Sequence, residues 1–184
     1  MKTKNFSTKF FYLSLFTLVL GIINVNLSLL GFICIVLPFL LFKKFRKNIW
    51  CSNICPRRGL LYYTKYFNLG LTLPKFIKDG SLKRYVFNYF IFNLSIATLS
   101  TIMVGIGRVM PIDNVRFLII FKMPFELFQV FDYNIAPVLT HLSYRIYSMF
   151  FTSIVIGLGF GVLFKPITWC QICPIPTLIK KIYK

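Results

Sequence analysis

The chain has 184 residues, of which 57% are hydrophobic, 18% aromatic and only 14% charged, and its mean hydropathy is +0.73. Soluble domains carry about 45–50% apolar and about 25% charged residues, so a water-facing shell around one core could hardly be assembled, and composition points to a single integral membrane domain. The net charge of +18 would suggest nucleic acid in a soluble protein, but the charges are segregated along this chain and no nucleic-acid partner is expected.

From Phe10 to Phe42 no residue is charged; Lys2, Lys4 and Lys9 precede the run and KKFRK, residues 43–47, follows it. That run is too long for one ordinary span. Two short spans, residues 8–24 and 27–42, joined by a tight turn near Asn24 to Ser28, bring both basic ends to one side. Each arm is short for a hydrocarbon core of about 30 Å at 1.5 Å per residue, which a snorkelling Lys9 helps to relieve. The start also resembles a secretory signal, yet GIINVN offers no small-residue cleavage site, and a retained span is expected. After a basic loop over 43–84, Tyr85–Gly107 forms the third span and Ile146–Phe164 the fourth, closed by Lys165 and Pro166.

Of the four acidic residues, Asp113, Glu126 and Asp132 fall in the loop 108–145, with only Arg108, Arg116, Lys122 and Arg145 as basic residues there. The remaining Lys and Arg lie in the N-terminus, in 43–84 and after Phe164. The positive-inside bias then makes those segments cytoplasmic and leaves 108–145 outside. Within it, VRFLIIFKMPFELFQVF (115–131) mixes apolar residues with spaced charges as an interfacial helix would, and Pro111, Pro124 and Pro137 divide the loop into short pieces. The expected fold is all-α: an integral membrane bundle of about four transmembrane helices with an outer interfacial segment. It is multi-pass in the cell inner (cytoplasmic) membrane, in contact with the lipid bilayer, with both termini cytoplasmic.

Five cysteines are present. Cys34 stands alone inside the second span, where a small apolar packing role is the plain reading. The other four form two similar stretches. LFK (41–43) is followed by Trp50-Cys51, Cys55-Pro56 and Leu60-Leu61; LFK (163–165) is followed by Trp169-Cys170, Cys173-Pro174 and Leu178-Ile179. The order of span, basic edge, Trp-Cys and Cys-Pro suggests a degenerate internal repeat with one cysteine pair per half. On a helical turn, both i/i+4 and i/i+3 spacings put two sulfurs on one face. Four thiols on one side of a membrane match the ligand set of one [4Fe–4S] cluster and equally that of a four-cysteine zinc site; redox-active thiols are a third reading. A structural disulfide is disfavoured on the cytosolic side.

Three features favour iron–sulfur. Proline directly after a cysteine recurs in ferredoxin cluster loops. Trp50, Ile54, Trp169 and Ile172 surround the thiols with apolar bulk. Zinc knuckles, by contrast, sit in hydrophilic loops with small turn residues. FRKNIWCSNICPRRGLL resembles the motif of membrane iron–sulfur proteins of the NapH and NosR type, and ITWCQICPIPTLIKK resembles a shortened second copy, C-x2-C in place of C-x3-C. The resemblance covers about fifty residues and the span arrangement. It implies cluster ligation by Cys51, Cys55, Cys170 and Cys173. It further implies a role in electron transfer, with a quinone or quinol as small-molecule partner and a redox protein, ferredoxin-like or a membrane subunit, as the other. Larger members add a ferredoxin domain that this sequence does not contain, so an electron-transfer component is expected rather than a stand-alone enzyme. An accessory subunit with a structural metal site, or a quinone-linked thiol oxidoreductase, are the alternatives.

The remaining signals have plainer readings. GLGFG (157–161) lies inside a span and indicates close helix packing rather than a phosphate loop. Arg57 and Arg58 are positive-inside anchors, and they would also offset the charge of a thiolate-ligated cluster. His141, the single histidine, reads as interfacial packing, and a quinone site built from His141, Glu126 or Asp132 has no support in the pattern.

Overall fold

A computed structural model describes residues 11–118, 120–123 and 136–183. They are mostly helical. Helix α1, Phe11–Ile23, has 13 residues, about 20 Å at 1.5 Å per residue. Asn24 then goes extended (φ −151°, ψ 120°), and its side chain accepts the Asn26 N–H at 2.8 Å, capping a 3₁₀ segment, Val25–Phe32. That segment continues as α2, Ile33–Phe45. Among the described residues three helices are long and apolar enough to cross a membrane: Val25–Phe45 (21 residues), α5 at Ser81–Gly105 (25 residues) and α6 at Pro137–Leu163 (27 residues). The expected first span is thus a short apolar helix over its described part, its first residues lying outside the described ones.

By internal contacts the chain forms two compact units: residues up to Leu15 with Cys34–Phe90 and Ile154–Lys184, and Phe16–Ile33 with Ile91–Ser153. In the second unit, the expected reversal after α1 is present. The Tyr147 hydroxyl donates to the Leu18 carbonyl at 3.4 Å, Gly21 lies against the Tyr147 ring, and Gly31 faces Ile146 and Phe150. Residues on both sides of Asn24 therefore meet the same turns of α6. This helix begins at Pro137, well before the predicted Ile146, because its polar residues are satisfied by buried partners. His141 is fully buried; its Nδ1 accepts the Ile112 N–H at 3.2 Å, which leaves Nε2 to donate to the Ser100 hydroxyl at 3.0 Å. Ser143, also fully buried, donates to the Leu139 carbonyl at 2.7 Å. His141 is thus a buried, hydrogen-bonded residue of α6.

The interfacial helix expected over 115–131 is replaced, over its described part, by a hairpin. Strands β1 (Arg116–Phe117) and β2 (Phe121–Lys122) pair antiparallel, Arg116 opposite Lys122 and Phe117 opposite Phe121. The described residues are therefore helical with one small two-stranded ladder. The reason lies in α6, which offers hydroxyl acceptors one turn apart to the open edge: the Arg116 N–H donates to Ser148 Oγ at 3.1 Å and the Leu118 N–H to Thr152 Oγ1 at 3.4 Å. Residues 124–135, with Glu126 and Asp132, lie outside the described residues.

In the first unit, the segments after α2 and α6 turn back along the helices. Arg46 ends α2 in the left-handed region (φ 54°), its N–H closing on the Phe42 carbonyl at 2.8 Å. There follow a π turn, Trp50–Ile54, then α3 (Pro56–Tyr62), a 3₁₀ turn (Tyr63–Phe67) and α4 (Lys75–Lys78). After α6 come α7 (Thr168–Ile172) and α8 (Pro174–Ile182). Leu61 and Trp169 pack on Gly157, and Thr64 packs on Gly161, whereas Gly159 has nothing within 4 Å; the glycine run thus serves close packing. Further along, the Asn68 amide donates to the carbonyls of Gly161 (2.9 Å) and Phe164 (3.1 Å). The N–H groups of Leu69 and Leu71 reach Val162 and Leu163 at 2.8 and 3.1 Å. These bonds occupy carbonyls that a helix C-terminus leaves free. On the other side, Tyr183 at the end of α8 donates to the Phe39 carbonyl at 3.4 Å and packs its ring 5.1 Å from Phe42.

Candidate metal centre

Each cysteine pair is a short loop closed in the same way. In the first, the Cys55 N–H donates to the Trp50 carbonyl at 2.9 Å; in the second, the Cys173 N–H donates to the Trp169 carbonyl at 2.8 Å. The first loop has one residue more, and it takes that residue up as a π turn, an i→i+5 closure in place of i→i+4. The second cysteines then match closely, Cys55 at φ −55°, ψ 113° and Cys173 at φ −48°, ψ 131°. Proline follows each at the start of the next helix, where its fixed φ and missing N–H suit the first turn. The C-x3-C and C-x2-C spacings are thus two forms of one loop, and the repeat seen in sequence is a repeat in structure.

The two loops exchange supports. The chain leaving Cys55-Pro56 runs along α6, the helix that leads to the second pair, through Leu61 on Gly157 and Thr64 on Gly161. The chain leaving Cys173-Pro174 runs along α2, the helix that leads to the first pair, ending with Tyr183 at Phe39 and Phe42. This crossing brings both loops to one pocket of about 50 Å³, lined by Cys51, Cys55, Cys170 and Cys173. Trp50 and Trp169, both buried, form part of its wall with Leu61 and Ile175. Phe160 stacks on Trp169 at 6.3 Å between ring centroids.

Cys34 lines the same pocket, a position that its reading as a small packing residue did not include. It stands eleven positions before the end of α2, about 16 Å at 1.5 Å per residue. The pairs therefore fold back toward α2, where Cys34 lines the same pocket. The one sequence signal was Pro38, buried inside α2. A helical proline removes the hydrogen bond to the carbonyl four residues earlier, which here is that of Cys34.

All five cysteines are free thiols, half-buried. Burial pushes Cys51 and Cys170 up to about 12, the neighbouring thiols add to the rise and Arg58 opposes it. Cys173 is also raised, first by burial, with Arg57 and the Ile175 N–H opposing. Arg57 lines the pocket, and Arg58 donates from Nη1 to the Cys51 carbonyl at 2.9 Å, so both arginines are part of the site and not anchors alone. Burial thus favours the neutral thiol at Cys51, Cys170 and Cys173, and binding a soft metal there would release protons.

The donor set is all thiol, suited to iron–sulfur or zinc. Among the described residues no group of three or more His, Cys, Asp or Glu side chains converges as a single metal ion requires. No protein-family profile, curated protein or solved structure matches this chain.

Proposed function

We propose that this chain is an integral membrane electron-transfer protein that holds one [4Fe–4S] cluster through Cys51, Cys55, Cys170 and Cys173. The observation that carries the reading is the meeting of two distant cysteine pairs in one apolar pocket, each closed by the same bond to its tryptophan. The membrane setting is supported by the three long apolar helices and by an inverted surface. Phe16, Ile33, Leu40, Phe92 and Leu99 are exposed while Ser14, His141 and Ser143 are buried, the pattern of a fold whose solvent is lipid.

A [4Fe–4S] cluster takes one thiolate at each of four irons, so its ligands ring a cage and call for a pocket. When bound, it supplies one-electron redox chemistry. The chain's own residues hold the thiols in two fixed loops, keep water away with Trp50 and Trp169, and offset thiolate charge with Arg57 and Arg58. In this reading electrons pass between a quinol pool or partner subunit and a redox carrier, with the cysteine loops and both termini on the cytoplasmic side.

Anaerobic purification followed by iron and sulfide assay and electron paramagnetic resonance tests it. About four irons and four sulfides per chain, with a reversible reduction, are expected from one [4Fe–4S] cluster. Colourless protein carrying zinc would sink the proposal, and a cluster that cannot be reduced and reoxidised would leave only a structural clip. Cys51→Ser and Cys173→Ser should each abolish the cluster; full iron in either variant would refute a single shared site.

A further inference from the structure

The second unit holds a cationic pocket. Arg116 of β1 and Arg145 of α6 both line it, with Asn93, Asn114, Ser148 and Thr152. The Nε atoms of both arginines are buried, with no hydrogen-bond partner among the described residues. Across the ladder Lys122 stands directly opposite Arg116, a like-charge pairing that works against a strand pair. No acidic side chain lines the pocket among the described residues; Asp113, one position before Asn114, is exposed.

The arrangement is built and not incidental. The bonds from the Arg116 and Leu118 N–H groups to Ser148 and Thr152 fix the hairpin on the face of α6 that carries Arg145. Two buried guanidinium donors left unmatched are costly, and a planar fork is suited to paired oxygens of an oxyanion. The free space is about 10 Å³, room for about one oxygen-sized group, so the pocket takes one terminal oxygen of an anion whose bulk and other oxygens stay at the mouth.

We propose that Arg116 and Arg145, with Asn93 and Asn114, form a binding site for a phosphate group. Phosphate offers several acceptor oxygens to two forks at once, and it neutralises a pair that repel each other. A lipid headgroup and free phosphate share this chemistry. Arg145 lies eight positions into α6, a helix of about 40 Å where the hydrocarbon core is about 30 Å, which allows headgroup depth.

The test uses the full chain, delipidated in a phosphate-free maltoside detergent, and follows its thermal midpoint against inorganic phosphate and against short-chain phosphatidylglycerol. A saturable rise with at least one probe is expected. A rise with the lipid alone assigns the site to a headgroup, and an equal rise with inorganic phosphate assigns it to the free ion. Arg145→Gln should weaken the response about tenfold or more, with Arg116→Gln as the second variant should the first not fold, since the hairpin is held there by the backbone N–H. Arg108→Gln, at an exposed arginine outside the pocket, should keep the full response. No rise with either probe, or a rise that survives loss of the pocket arginines, would overturn the proposal.

Discussion

Replacing Gly161 by alanine puts a Cβ 2.5 Å from Thr64 Oγ1, and 3.0 and 3.1 Å from Thr64 Cγ2 and Cβ. Comfortable carbon contacts begin near 3.5 Å, so the two elements must part by about 1 Å. Thr64 cannot simply rotate away. It is β-branched and stiff, it is buried, and its hydroxyl is bound to the Leu61 carbonyl at 2.7 Å. Overpacking of this kind costs about 1–3 kcal/mol, against which alanine returns about 1 kcal/mol of helix propensity. The net expectation is a loss of up to about 2 kcal/mol, or up to about 8 °C in thermal midpoint for a chain of this size. Gly159→Ala is the control: its Cβ meets nothing within 4 Å, so only the propensity gain remains, about 1 kcal/mol. Thermal unfolding of both variants in the same detergent separates the two. Equal shifts, or a Gly161→Ala protein as stable as Gly159→Ala, would refute the close approach of the 3₁₀ turn to α6. Because that approach anchors the chain leaving the first cysteine pair, Gly161→Ala should also lower iron retention.

Cys34→Ala should keep the iron content of the parent protein if the four proposed ligands hold the cluster; loss as complete as in Cys51→Ser would place Cys34 among them. In metal-free protein, Cys51 and Cys170 rise from an ordinary 9.0 to about 12. A raised thiol contributes stability that is fully present below pH 9 and is lost as pH climbs toward 12. The thermal midpoint should therefore fall between pH 9 and pH 11 by more in the parent than in a Cys51→Ala/Cys170→Ala variant, and parallel curves would contradict the burial of these thiols. Arg46 is exposed with φ 54°, where glycine pays no Cβ penalty, so Arg46→Gly should raise stability by about 0.5–1 kcal/mol in the same melting assay. An unchanged or lower midpoint would show that the arginine's charge matters more there than its backbone.

Much of the candidate site was legible because its signals are local. Trp-Cys and Cys-Pro at near-equal spacing fix which side chains lie within a turn of one another, and this carries over even though one loop closes as a π turn. Cys34 was not legible: a single thiol in an apolar run looks the same whether it packs against lipid, a neighbouring helix or a metal pocket. The hairpin at 115–123 was missed for a related reason. Its apolar and charged residues suit an interfacial helix equally well, and the choice was made by Ser148 and Thr152, far along the chain.

From the sequence alone come the apolar helices, the reversal at Asn24, the packing role of the glycine run and the kinship of the two cysteine loops. Each depends on hydropathy or on spacing within a few residues, which covalent geometry and the helical period translate directly into structure. Tertiary structure alone decided that the loops fold back beside Cys34, that each is supported by the helix leading to the other, and that Arg116 meets Arg145. Those outcomes rest on contacts between residues tens of positions apart, whose energies depend on the shape and polarity of the facing surface, and no local pattern encodes them.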